Sequence, residues 1–198
     1  MENFNDTLFL LLNAPAHPSA PLLVTAIFFA KYVIWAIPGV IGIGWLWGNE
    51  RCRKIMLEAT ASGLVGLLIS QIIGFVWPHP RPFVIGLGHT FIAHAADPSF
   101  PSDHLTLLWA VAFSFFLHRS LRLAGLGLAL LGLPVAWARI YIGVHFPLDM
   151  VGAMFVAALS AWLAFRAKHS YLPTAYGIAI RIHHILFGKL IKLGWVRR

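Results

Sequence analysis

The sequence predicts an all-α integral membrane protein, built as a single bundle of five to six transmembrane helices. Three observations support this prediction. Hydrophobic residues make up 59% of the 198 residues and charged residues only 11%, whereas a soluble domain carries about 25% charged residues. Several apolar runs approach the roughly 20 residues that a helix needs to cross a bilayer. Lysine and arginine cluster in alternate segments between those runs, as expected of a chain that crosses a membrane repeatedly.

Five segments are predicted to span the membrane: Pro21–Trp47, Ile55–Trp77, Leu105–Leu117, Leu121–Trp137 and Leu148–Phe165. The third and fourth are short, so the third is expected to begin near Ser102 and the fourth to continue to about Arg139. Residues 1–20 are expected to form an interfacial helix before the bundle of residues 21–165. Residues 166–198 have the pattern of a basic amphipathic helix on a membrane surface, with a sixth short span as the alternative.

The net charge of +8 indicates membrane orientation, and a nucleic-acid partner is not expected. Of the fifteen lysines and arginines, all but Lys31, Arg81 and Arg139 fall on one side of a five-span arrangement. The positive-inside rule makes that side cytoplasmic. The C-terminus is therefore expected in the cytoplasm, with loops 78–100 and 141–147 outside. Lys31 is expected within the first span, where it pairs with a carboxylate, lines a lipid path or snorkels.

Three polar clusters lie at the outer ends of the predicted spans. "WPHPRPF" places Arg81 after the second span, and "FPSDH" places Ser102 and His104 before the third. "ARIYIGVHFPLDM" joins the fourth and fifth spans and contains Arg139, His145 and Asp149. Because all three clusters lie at the same end of their spans, we expect them to face a common cavity.

The residue types in these clusters favour phosphoryl chemistry. Two arginines offer forked donors for phosphate oxygens, and Ser102 is expected to cap the next helix and leave its first amides free for an anion. One histidine can attack phosphorus while the other protonates the departing oxygen. Asp149 follows His145 by four residues and can hold its far ring nitrogen. This scheme needs no metal or cofactor, and His89 and His94 in the outer loop are not expected to form a metal site.

Each residue taken singly also has a simpler structural interpretation. Ser102 alone is a helix cap, Arg81 alone a headgroup anchor, and Asp149 alone a charge at a helix N-terminus. The joint pattern, with all of them at the outer face, favours a site.

The three clusters resemble the signature of the type 2 phosphatidic acid phosphatase superfamily: Lys-x6-Arg-Pro, Pro-Ser-Gly-His and Ser-Arg-x5-His-x3-Asp. The matching residues are Arg81-Pro82, the stretch Pro101–His104, and Ala138-Arg139 with His145 and Asp149. "PSDH" after the "HAAD" stretch that begins at His94 is similar to the bacitracin-resistance type of undecaprenyl-diphosphate phosphatase.

Three positions depart from that signature. Gly74 stands at the lysine position, Asp103 at the glycine position and Ala138 at the serine position. The missing lysine removes one phosphate donor, for which His79 is the candidate substitute. Asp103 is expected to point away from the anion site or to cap the helix.

The resemblance implies a fold, an activity and a role for each site residue. The fold is the helical core shared by these phosphatases and the haloperoxidases. His145 would be the nucleophile that forms a phosphohistidine, Asp149 would orient it, and His104 would protonate the leaving group. The phosphoryl oxygens would be held by Arg81, Ser102 and Arg139.

The implied reaction converts undecaprenyl diphosphate to undecaprenyl phosphate and phosphate, which recycles the cell-wall carrier lipid. It would take place in the bacterial inner membrane, at a site facing the periplasm. The expected partners are the lipid substrate and the bilayer, and no protein partner is implied.

Three alternatives stay open. The first is a phosphotransferase that passes the phosphoryl group to a lipid acceptor such as lipid A. The second is a phosphatase acting on phosphatidylglycerol phosphate or phosphatidic acid. The third, from a different class, is a bacitracin export component, although the sequence has neither an internal repeat nor a pair of broken helices at mid-membrane.

Overall fold

Helices make up nearly all the regular structure in residues 2–198, the part of the chain that the computed structural model describes. The seven α-helices of this range are α1 (Glu2–Leu12), α2 (Ala20–Lys31), α3 (Ala36–Trp47), α4 (Glu50–Val76), α5 (Asp103–Phe116), α6 (Arg122–Tyr141) and α7 (Pro147–Lys192). Short 3₁₀ turns cover Val33–Trp35, Pro82–Ile85 and Arg119–Leu121, and no strand occurs between residues 2 and 198. The predicted all-α fold class is confirmed.

Four of the helical segments between residues 2 and 198 are long and apolar enough to cross a membrane: Ala20–Trp47, Glu50–Val76, Arg119–Tyr141 and Pro147–Lys192. The first consists of α2 and α3, which join at the Val33–Trp35 turn just after Lys31. Phe75, Leu123 and Ile185 are 80–89% exposed on the outside of the bundle. So much exposed apolar surface suits contact with lipid.

Helix α5 is the central helix of the bundle and is shorter than α4, α6 and α7. Its 14 residues span about 21 Å at 1.5 Å per residue, less than the ~30 Å of a hydrocarbon core. It packs on α4, α6 and α7. Small and polar residues allow this close approach, as where Ser62 of α4 donates to the Ala110 carbonyl at 3.0 Å. The first residues of α5 therefore lie among the other helices at one end of the bundle.

Helix α7 continues far beyond the predicted end of the fifth span at Phe165. Its 46 residues would measure about 69 Å if straight, and Pro173 lies inside it. Beyond that proline, Tyr176 and His183 pack on Trp45 of α3, with ring centroids 6.4 and 5.9 Å away. The basic C-terminal region is thus helical, as predicted, but continuous with the last span and packed on α3. Its position on a membrane surface stays a prediction.

Candidate active site

The three polar clusters meet at one end of the bundle, where α4 and α6 end and α5 and α7 begin. Arg81 follows α4, and Arg139 lies in the last turn of α6. His145 lies in the connection before α7, and Asp149 lies in the first turn of α7. All four are at most 4% exposed.

Opposing contacts hold the two ring nitrogens of His145. Its Nδ1 lies 3.0 Å from Oδ2 of Asp149, and its Nε2 lies 3.0 Å from a guanidinium nitrogen of Arg81 and 3.1 Å from one of Arg139. Arginine can only donate hydrogen bonds, so Nε2 must present its lone pair. Nδ1 then carries the proton and donates it to the carboxylate. This is the neutral tautomer that a nucleophilic Nε2 requires.

The electrostatic surroundings keep His145 neutral. Burial is the largest cause that lowers its pKa, followed by the charges of Arg139 and Arg81. Together they hold the pKa well below its ordinary value of 6.5. The ring is therefore unprotonated at neutral pH.

Asp149 lies at the N-terminus of α7 and also contacts His145, the two interpretations that its sequence position suggested. Its Oδ2 accepts the backbone amide of Phe146 at 2.8 Å, which caps the N-terminus of α7. The same oxygen accepts the hydroxyl of Ser99 and the Nδ1 proton of His145. The helix-terminal charge and the histidine-orienting carboxylate are one and the same group.

Arg81, which follows α4, forms hydrogen bonds with the loop before α5 and with the segment that contains His145. Its Nε donates to the backbone carbonyl and to Oδ1 of Asp97, both at 3.0 Å. One terminal nitrogen donates to the Val144 carbonyl at 2.9 Å, and the other donates to the Pro98 carbonyl at 3.3 Å. Desolvation raises the pKa of Asp97, but the hydrogen bond and charge of Arg81 outweigh it, so this pKa lies below its ordinary value. Arg81 therefore fixes the loop before α5 against the His145 segment.

Among the residues that the structure describes, the guanidinium of Arg139 contacts carbonyl and imidazole acceptors and no carboxylate. Its terminal nitrogens donate to the Ala30 carbonyl at 3.2 Å, to Nε2 of His94 at 3.2 Å and to Nε2 of His145. Its Nε is buried without a partner. None of its contacts within residues 2–198 is to a carboxylate at salt-bridge distance. A buried guanidinium without a carboxylate in direct contact is suited to bind an anion.

The structure corrects the expectation for Ser102. Ser102 is the residue before α5, but its side chain makes no capping hydrogen bond, and its hydroxyl is buried without a partner. The backbone amide donates instead to the Asp149 carbonyl at 3.3 Å. The hydroxyl is thus left available to a ligand.

His104 and His79 have different surroundings. His104 lies in the first turn of α5 and is half-buried. His79 packs edge-on against Phe146 with centroids 5.5 Å apart, and its Nδ1 is buried without a partner. The roles of both residues stay predictions.

Gly74 and Asp103, two of the residues that depart from the superfamily signature, border a cavity of about 370 Å³ beside the site. Asp103 accepts a hydrogen bond from Gln71 of α4 at 3.1 Å, so its carboxylate is oriented towards α4. A Cβ on Gly74 would lie 3.2 Å from Cβ of Pro98. The chain is packed closely at the position where the superfamily signature has lysine.

The connection between α4 and α5 is docked on the His145 segment through Gly143. This glycine has φ of +82° and faces the His89 carbonyl so closely that a Cβ would collide with it. Thr90 Oγ1 donates to the Gly143 carbonyl at 3.3 Å, and the Phe91 amide donates to the Ile142 carbonyl at 3.1 Å. Asn13, just after α1, also binds both the amide and the carbonyl of His89.

Sequence reasoning missed three residues that this loop brings to the site. Ser99 binds Asp149, Asp97 binds Arg81, and His94 binds Arg139. None has a diagnostic spacing to its partner. The signals that pointed to them are their place in the connection between α4 and α5, just before "PSDH", and, for His94 and Asp97, the "HAAD" stretch.

A helical core with two arginines aimed at a buried histidine defines a phosphoryl-transfer membrane protein. A protein-family model described as "PAP2 superfamily" matches residues 55–171, more than half of the chain. The chain therefore belongs to this superfamily, and the resemblance predicted from the sequence is confirmed.

Relatives extend the match over the whole length. The chain is 36% identical over 200 residues to the putative undecaprenyl-diphosphatase YbjG of Escherichia coli (strain K12), covering 100% of this chain and 99% of that one. It is 35% identical over 188 residues to the undecaprenyl-diphosphatase BcrC of Bacillus subtilis (strain 168), covering 95% and 96%. The crystal structure of Aquifex aeolicus LpxE has the same fold, with a TM-score of 0.61 and 22% identity over 81% of this chain and 93% of that one.

Proposed function

We propose that this chain hydrolyses undecaprenyl diphosphate to undecaprenyl phosphate and inorganic phosphate through a phosphohistidine at His145. The observation that carries the proposal is the pair of guanidinium groups, Arg81 and Arg139, that meet at the Nε2 lone pair of His145. Donors around that lone pair would bind the oxygens of the phosphoryl group that the nitrogen attacks. The names of the full-length relatives supply the substrate.

In the first step, Nε2 of His145 attacks the terminal phosphorus, and the bond from that phosphorus to the bridging oxygen breaks. The electron pair leaves with undecaprenyl phosphate, and His104 is the residue proposed to donate a proton to the departing oxygen. Asp149 stabilises the positive charge that forms on the imidazole. Arg81, Arg139 and the free hydroxyl of Ser102 hold the three phosphoryl oxygens.

In the second step, water attacks the phosphohistidine and the nitrogen–phosphorus bond breaks. Phosphate leaves and the neutral ring of His145 returns. In this proposal the site faces the periplasm of a bacterial inner membrane, because most lysines and arginines lie towards the opposite end of the bundle. The C-terminus would then lie in the cytoplasm.

The test is phosphate release by purified protein in detergent, with a chelator present. Undecaprenyl diphosphate and phosphatidylglycerol phosphate are offered together, with and without a lipid acceptor. We expect phosphate to be released from undecaprenyl diphosphate without an acceptor, and the acceptor should leave the rate unchanged. Phosphatidylglycerol phosphate should compete poorly for the site. Release that requires the acceptor would establish a transferase, and preference for phosphatidylglycerol phosphate would refute the proposed substrate.

A further inference from the structure

His94 is a second histidine of the site that no step above employs. It lies in the connection between α4 and α5, and its ring centroid is 6.3 Å from that of His145. The side chain is 20% exposed. The contacts of Thr90 and Phe91 with residues 142 and 143 anchor its loop, so the ring is held over the His145 segment.

The hydrogen bonds of His94 determine which of its nitrogens is a base. Arg139 donates to Nε2 at 3.2 Å, so this nitrogen carries a lone pair. Nδ1 lies 3.1 Å from the Ala95 carbonyl and therefore carries the proton. Burial, together with the charges of Arg81 and Arg139, lowers the pKa of His94 despite opposing contributions from Ala95 and Asp97. His94 is thus a neutral base whose lone pair faces the phosphoryl site.

One nitrogen of Arg139 connects the two histidines. The same terminal nitrogen donates to Nε2 of His94 at 3.2 Å and to Nε2 of His145 at 3.1 Å. A phosphoryl group on His145 would bring anionic oxygens to this guanidinium, and these are stronger acceptors than a neutral imidazole. The lone pair of His94 would then be free beside the phosphorus.

Asp97 places a half-exposed carboxylate near Nδ1 of His94, beyond hydrogen-bond distance. Its Oδ1 lies 3.6 Å from Nδ1 of His94. This carboxylate would stabilise the imidazolium that forms when Nε2 takes up a proton. Both histidines therefore have Nε2 on the arginine side, with Nδ1 of His145 bonded to a carboxylate and Nδ1 of His94 bonded to the Ala95 carbonyl with a carboxylate nearby.

We propose that His94 is the general base for the second half of the reaction, the hydrolysis of the phosphohistidine. Nε2 of His94 takes a proton from water, the water oxygen bonds to phosphorus, and the phosphorus–nitrogen bond to His145 breaks. The electron pair of that bond returns to His145, and the proton on His94 leaves with phosphate or to solvent. This inference rests on the proposed function, since it needs a phosphohistidine.

The experiment measures the two half-reactions separately in His94→Gln. Glutamine keeps an acceptor for Arg139 but cannot take up a proton at neutral pH. The probe is undecaprenyl diphosphate labelled with ³²P at the terminal phosphate, mixed in single-turnover amounts and quenched with base, in which phosphohistidine survives. We expect the variant to release undecaprenyl phosphate in a rapid burst, to accumulate labelled protein, and to lose the label about 10²- to 10⁴-fold more slowly than the wild type.

His89→Gln is the matched control, because His89 lies in the same loop with an exposed side chain. It should behave as the wild type does in both half-reactions. Formation of labelled protein also shows that the variant site is folded. If His94→Gln folds poorly, His94→Asn makes the same test with a smaller neutral side chain.

The outcomes separate the two proposals. Dephosphorylation of His94→Gln and His94→Asn at the wild-type rate would refute the base role, as would equal slowing of both half-reactions, which would reduce His94 to a positioning partner of Arg139. Wild-type protein that releases no phosphate from undecaprenyl diphosphate would instead refute the proposed function itself.

Discussion

Two buried pairs of histidine and carboxylate lie at opposite ends of the bundle. At the site end, Nδ1 of His145 lies 3.0 Å from Asp149. At the other end, Nε2 of His118 lies 2.9 Å from Glu58. Both carboxylates are 1–2% exposed, although the His118 side chain is 14% exposed and that of His145 only 1%, so neither the distance nor the burial of the carboxylate distinguishes the pairs.

The pairs differ in what surrounds the second ring nitrogen. That of His145 receives Arg81 and Arg139. That of His118 has no hydrogen-bond partner among residues 2–198, and the ring packs edge-on against Phe165 at 6.0 Å. A histidine–carboxylate pair is therefore a structural unit, and it becomes a candidate nucleophile only where anion-binding donors meet its free lone pair.

The largest effect is expected from replacing the histidine of each pair. His145→Gln should lower phosphate release from undecaprenyl diphosphate by about 10⁵-fold, because the nucleophile is removed. His118→Gln should keep near wild-type turnover per folded molecule. The assay is initial-rate phosphate release, normalised to the monodisperse fraction in gel filtration. Comparable losses in both variants would remove the distinction between the pairs.

Replacing the carboxylate at the site end should have the next largest effect. Asp149→Asn should lower kcat by about 10³-fold, because an amide can donate to Nδ1 and so favour the wrong tautomer of His145. The measurement is kcat at saturating substrate. A loss confined to KM, with kcat intact, would show that Asp149 serves binding and not the orientation of His145.

Ser99→Ala should lower kcat about tenfold, because Asp149 loses one charge-assisted hydrogen bond. Ser114→Ala is the matched control, since the Ser114 hydroxyl is equally buried but has no partner. Both variants are compared by kcat and by melting temperature. Equal kcat in the two variants would contradict a role for Ser99 in holding Asp149.

The pH profile of the site should reflect the depressed pKa of His145. The unprotonated ring is the active form, and a lowered pKa keeps it populated as the pH falls through the ordinary histidine range. The acid limb of kcat/KM is therefore expected below pH 6.5. Arg139→Gln removes one cause of the depression, so its limb should move up by about one pH unit.

Comparing Arg139→Gln with the wild type on the same substrate cancels the titration of the diphosphate itself. An unchanged limb in the variant, or a wild-type limb above pH 6.5, would show that His145 is not the group titrated.

The smallest effect on turnover is expected from Glu58→Gln. It should leave the activity of the folded protein unchanged while lowering stability by about 2 kcal/mol, because a buried charge-assisted hydrogen bond is weakened. The readout is thermal unfolding in detergent beside the turnover assay. A loss of turnover at full stability would give the second pair a part in function.

The two pairs also show how far the sequence could predict the site. His145 and Asp149 are four residues apart across a helix start marked by Pro147, so their contact follows from local geometry, and it was predicted. Glu58 and His118 are sixty residues apart, and no local rule joins them. Ser99, Asp97 and His94 escaped prediction for the same reason, since a connection without regular structure has no periodicity to locate its side chains.

Local reasoning also failed where tertiary contacts prevailed. Ser102 occupies the position of a helix cap, yet its side chain is unpaired and its amide binds the Asp149 carbonyl of another helix. The polar pattern after Phe165 predicted a separate helix, whereas α7 continues to Lys192 and packs on α3.

The sequence by itself determined the helical membrane class, the end of the bundle at which the three polar clusters lie, and the local pairing of His145 with Asp149. Hydropathy, charge distribution and helical spacing are properties of neighbouring residues, and these three conclusions need nothing more. Only the tertiary structure decided that Arg81 and Arg139 reach one nitrogen of His145 and that the connection between α4 and α5 brings His94 and Ser99 beside the His145 ring. Those contacts join residues far apart in the chain, and they exist only once α4, α5, α6 and α7 have packed together.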